Sequence, residues 1–71
     1  METKKEKFVR LAENRMNNVL KQIELIGNLA NESVYEYTEE DVDKIIKTLK
    51  KSISSLEYKF KLDKKNKRFI L

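Results

Sequence analysis

Seventy-one residues, with 16 Lys or Arg against 12 Asp or Glu and a net charge of +4, allow one small domain and no more. The absence of Cys and His removes disulfides, thiolate or imidazole metal sites, a cysteine nucleophile and the commonest general base. A chain this short builds a core that is barely sufficient on its own, so self-association is the remaining route to stability.

With no Pro and one Gly, hydrophobic spacing is readable over long windows. Val9, Ala12, Met16, Val19, Ile23, Ile26 and Ala30 follow alternating steps of three and four, which places them on one stripe of an α-helix. The first helix is predicted from about residue 4 to about residue 29. Thr3 is its N-cap, and Glu6 three residues on completes a capping box. Gly27 has two readings: a left-handed residue that ends the helix, or a small residue where a second helix packs closely.

The segment Asn31 to Tyr37 reads as a short polar connection. Behind it, Tyr37-Thr38-Glu39-Glu40-Asp41-Val42 combines an N-cap Thr, three acids in the first turn and a Tyr37–Val42 hydrophobic staple. Val42, Ile45, Ile46, Leu49, Ile53, Leu56 and Phe60 continue at helical spacing, which takes the second helix from about 39 to about 63. The predicted fold is all-α: an antiparallel two-helix hairpin over residues 1–63, with a connection at 30–37 and a frayed basic tail at 64–71. Phe8, Leu11, Leu20, Leu25 and Leu29 lie beside or behind the main stripe of the first helix, more apolar surface than one partner helix covers. A homodimer forming a four-helix bundle is the simplest remedy.

Charge is divided along the chain. Residues 1–43 hold six basic and ten acidic side chains, a balance of −4, whereas residues 44–71 hold ten and two, a balance of +8. In a hairpin, Lys4, Lys5, Lys7 and Arg10 would lie beside the far end of the second helix and create a basic pole. Lys59, Lys61, Lys64, Lys65, Lys67 and Arg68 are then candidate phosphate contacts, since Lys and Arg gain affinity for nucleic acid by releasing counterions. The competing reading is that cations near a helix C-terminus complement its dipole and keep a small protein soluble. The terminal Phe69-Ile70-Leu71 is an apolar tip that could dock on its own fold, on another protein or on an anionic membrane surface.

Catalytic chemistry finds little to use. Glu39, Glu40, Asp41 and Asp43 adjoin one another, but acids at a helix start are what the macrodipole favours, and Glu36, Glu39, Glu40 and Asp43 lack the alternating ligands and Gly of a calcium loop. The serines at 52, 54 and 55 have no His partner. No enzyme, cofactor or metal is expected. A small ligand between helices would need only ordinary apolar residues and a few polar ones such as Asn14, Asn18 or Asn28. The start METKKEKFVRLAEN is charged where a signal peptide needs an apolar core, and no run approaches the roughly 20 apolar residues that span a bilayer, so a cytoplasmic protein is expected.

The pieces Arg10-Leu11-Ala12-Glu13, Leu25-Ile26-Gly27-Asn28-Leu29 and Tyr35-Glu36-Tyr37-Thr38-Glu39-Glu40-Asp41-Val42 resemble a group of short, mostly uncharacterised helical proteins of bacteria, their plasmids and their phages. The resemblance spans about residues 7–60. It implies a bacterial or mobile-element setting and transfers no catalytic residue. Because its pieces cluster around the turn, it points to Asn28, Tyr35, Glu36, Glu39 and Glu40 as a protein-binding, regulatory surface, with Tyr35 the aromatic left free by the staple. The nucleic-acid reading of the basic end is the alternative.

Overall fold

The computed structural model describes the backbone of residues 1–68 and the side chains of residues 1–62, and the chain is all-α with two helices. Helix α1 spans Lys4–Gly27 and helix α2 spans Glu39–Arg68. The chain divides into two structural units, Met1–Glu36 and the part beginning at Tyr37, described in turn.

The start of α1 is the expected capping box. The Thr3 hydroxyl accepts from the Glu6 backbone N–H at 3.0 Å, and the Glu6 carboxylate accepts from the Thr3 N–H at 3.1 Å. Two amides that the helix cannot satisfy internally are thereby paired. The Thr3 backbone N–H, and to a lesser extent the Thr3 hydroxyl, favour the charged carboxylate, so the Glu6 pKa falls below its ordinary 4.5.

At its other end α1 stops two residues earlier than periodicity predicts. Gly27 is its last residue, and the left-handed reading of that glycine fails. Its φ is not positive, and the cap residue Asn28 is right-handed at φ −67° and ψ −14°. A Cβ built on Gly27 meets nothing within 4 Å. The helix instead unwinds through tighter turns, with the Leu29 N–H donating to Ile26 O and the Ala30 N–H to Gly27 O, both at 3.0 Å. Asn31 then organises the chain. Its side-chain oxygen accepts from the Ser33 N–H at 3.1 Å, and its carbonyl accepts from Val34 at 3.1 Å and Tyr35 at 2.9 Å. The connection therefore covers 28–38 rather than 30–37, and its first part is a built turn.

Helix α2 opens on a second box. The Thr38 hydroxyl accepts from the Asp41 N–H at 3.1 Å and the Asp41 carboxylate accepts from the Thr38 N–H at 2.9 Å. The shorter Asp performs the task of Glu6, and its pKa is likewise lowered, chiefly by the Thr38 backbone N–H, with the Lys44 charge the smallest contribution. Tyr37, at the staple position, is half-buried. The far end corrects the sequence reading: α2 continues to Arg68, so Lys64, Lys65, Asn66, Lys67 and Arg68 belong to the helix and not to a frayed tail. No Gly or Pro interrupts this stretch, Lys and Arg have high helix propensity, and cations suit the negative end of the macrodipole. The apolar tip at 69–71 lies outside the described residues.

No described residue is buried; Leu11, Ala12, Tyr37 and Leu49 are half-buried and the rest exposed. The apolar stripe of each helix thus remains open to solvent, with Ile23 at 42 %, Ile53 at 61 % and Leu56 at 52 % exposure. No helix among the described residues is long and apolar enough to cross a membrane.

Candidate interaction surfaces

Three surfaces are built on this frame: the turn after α1, the apolar stripes, and the outer faces of the helices.

In the first unit, Asn28 caps α1 while Tyr35 and Glu36 follow the Asn31 turn. Tyr35 is 47 % exposed, and its position is set by the bond from its backbone N–H to the Asn31 carbonyl. Asn28 and Glu36 are exposed as well. Glu39 and Glu40 belong to the second unit, exposed in the first turn of α2, where their charge faces the positive end of the helix dipole. The contribution of Asn31 escaped the sequence reading, although an Asn followed two residues later by Ser in a polar connection is a recognisable Asx-turn signal.

The basic candidates differ in their surroundings. Arg10 is neutralised by Glu2 through a two-pronged pair, Nε to Oε2 at 2.8 Å and Nη2 to Oε1 at 3.1 Å, which raises the arginine pKa further. That pairing weakens the case for Arg10 as part of a basic pole. The Lys5 ammonium sits 5.6 Å from the centroid of the Phe8 ring. Lys61 lies 3.4 Å from Glu57 one turn away, an exposed pair that contributes little. Lys64, Lys65, Lys67 and Arg68 follow on the same continuous helix.

Helical register sharpens the picture of α2. At 100° per residue, Val42, Ile45, Ile46, Leu49, Ile53, Leu56 and Phe60 fall within an arc of about 100°. Lys44, Lys47, Lys50, Lys51 and Lys61 fall within another arc of about 120°, centred roughly 150° away. Lys44 to Lys51 were missed as candidates in the sequence because they precede the dense basic run; their 44, 47, 51 spacing opposite the apolar stripe was the available signal. Tyr58 lies in the same arc and is 64 % exposed. On the flank between that arc and the apolar stripe, an open depression is lined by Lys51, Ser52, Ser55, Leu56 and Lys59. The corresponding face of α1 carries Lys7, Arg10 and Lys21 interleaved with Asn14, Asn17 and Asn18, and has no exposed tyrosine. Asn14 and Asn17 border a shallow depression on that helix together with Glu13, Arg10 and Val9.

Among the described residues no group of three or more acidic, His or Cys side chains is placed to hold a metal ion. Comparison with protein-family models, with curated proteins and with solved structures finds no match to this chain.

Proposed function

We propose that this chain is a non-enzymatic helical interaction module that self-associates, in the manner of a hairpin dimer, and binds a protein partner through the region around the helix connection, regulating or inhibiting it. The observation that carries the reading is the exposure of most of both apolar stripes on a chain with no buried described residue. Burial contributes roughly 25 cal/mol per Å² of apolar area, and helices without tertiary packing are marginal in water, so the stripes call for protein surface to cover them. Tyr35, exposed on a hydrogen-bonded turn among acids, is the aromatic anchor for the partner. A setting in a bacterium or mobile element rests on the resemblance noted in the sequence.

Affinity capture from a bacterial host extract tests the partner surface. Tyr35→Ala or Glu36→Lys will abolish capture while leaving helicity by circular dichroism intact. Capture that survives both substitutions counts against the turn as the site.

A second reading is favoured by the unbroken course of α2 through Arg68. Lys59, Lys61, Lys64, Lys65, Lys67 and Arg68 then stand on one helix, and a nucleic-acid-binding accessory protein would use them. Fluorescence anisotropy with labelled nucleic acid at low and physiological salt separates the two readings, since attraction that vanishes with salt reflects only net charge.

A further inference from the structure

We infer that the outer face of α2 around Tyr58 is a single-stranded nucleic-acid surface, in which Lys47, Lys51 and Lys61 meet phosphates and the Tyr58 ring stacks on a base. The inference rests on the nucleic-acid reading above and deepens it by naming the strand type and a different set of contacts.

Register, exposure and surface relief support this assignment. From Lys44 to Lys61 the lysine row extends over about 26 Å of helix and has few acids within it after the first turn; Glu57 lies at its edge, paired with Lys61. Tyr58 lies inside that row, one turn from Lys61 and two turns from Lys51, with most of its surface in solvent. Lys51, Ser55 and Lys59 fall in one i, i+4, i+8 row along the flank of that face and line a depression there. An exposed aromatic flanked by cations is the combination that single strands require, because unstacked bases offer a π-face while the backbone offers charge.

Other polyanions fit less well. A duplex hides the faces of its bases and would use the lysines alone, leaving the Tyr58 ring without a role. An anionic bilayer takes an amphipathic helix by its apolar face, with cations at the edges of that face. On α2 the lysine row is centred nearly opposite the apolar stripe, so the stripe is available for helix pairing while the lysines point away from it. The row also leaves the Tyr35 turn unused, so both surfaces could operate on one molecule.

Anisotropy titration of the full chain with labelled oligodeoxythymidylate, a labelled duplex and anionic phosphatidylserine vesicles as competitor tests this. The expected result is tighter binding to the single strand than to the duplex, a loss of roughly tenfold for Tyr58→Ala, and near-complete recovery for Tyr58→Phe. The double variant Lys47→Gln/Lys51→Gln will flatten the salt dependence by about 1.4 in log–log slope, whereas Lys4→Gln/Lys5→Gln on α1 will leave the Tyr58 effect unchanged. Circular dichroism on each variant confirms that helicity is retained. Equal affinity for both nucleic acids with no response to Tyr58→Ala overturns the inference but leaves a general polyanion surface standing. Absence of binding to any nucleic acid at physiological salt removes both, and vesicles that displace the oligonucleotide completely would assign the face to membrane instead.

Discussion

The two helices are built by the same devices and dressed differently. Each begins with a threonine whose hydroxyl caps the amide three residues on, and each returns a carboxylate to the threonine N–H, Glu6 in α1 and Asp41 in α2. Each carries an apolar stripe at the spacing of a helical seam. On the outer face they differ: α1 interleaves Lys7, Arg10 and Lys21 with asparagines and pairs Arg10 with Glu2, while α2 presents five lysines and an exposed tyrosine. Caps and seams are generic requirements of a short helix, so the difference on the outer face is where the proposed nucleic-acid surface of this chain is sought.

Breaking the shared part should produce the largest effects. Ile23→Asp in α1 and Ile53→Asp in α2 each place a charge in a seam, and in the proposed assembly either will cost about 3 kcal/mol or more and dissociate or unfold it. Light scattering coupled to size exclusion, with circular dichroism, provides the readout; a wild-type chain that is a stable folded monomer would end the self-association reading, whatever the variants do. The pair of substitutions also asks whether the two seams carry equal weight.

Smaller effects come from the caps. Thr3→Ala and Thr38→Ala will each cost about 1 kcal/mol of local helix stability, visible as faster hydrogen exchange of the first-turn amides of α1 or α2 respectively. The same boxes impose a pH dependence. Because the folded-state pKa values of Glu6 and Asp41 lie below their ordinary 4.5 and 3.8, their contributions are complete above those values and disappear as pH falls through the lowered ones. Helicity measured by circular dichroism will therefore decline on acidification below the ordinary carboxylate range, and Glu6→Gln with Asp41→Asn will reduce that decline. A response unchanged in the double variant would assign the acid sensitivity to other carboxylates.

The smallest effect sharpens the contrast between α1 alone and α1 in an assembly. With nothing within 4 Å of an added Cβ, Gly27→Ala is expected to raise helix stability by about 0.5 kcal/mol. If the same substitution weakens self-association, Gly27 is a close-approach residue in the assembly, as the packing reading of that glycine has it.

Much of the fold was legible because its determinants are local. The N-caps, the stripes and the all-α class each depend on residues three or four positions apart, and a sequence displays such spacing directly. The candidate surfaces were only partly legible. Tyr35 and the dense basic run stand out by composition, whereas the lysines at 44, 47, 50 and 51 share a face with Tyr58 only when read in helical register, which the helix predicted over 39–63 already contained.

By itself the sequence determined two amphipathic helices, their starting residues and the asymmetry of charge between its halves, since helix propensity, capping and periodicity operate within a turn or two of chain. Only the three-dimensional structure decided where the helices end and what joins them. Gly27 could have turned left-handed but did not, and Asn31 gathered the amides of Ser33, Val34 and Tyr35 into a turn. Glu2 reached Arg10 across two helical turns, and α2 ran on to Arg68. Each of these outcomes is a competition between alternative partners for the same donors and acceptors, and spacing alone does not rank them.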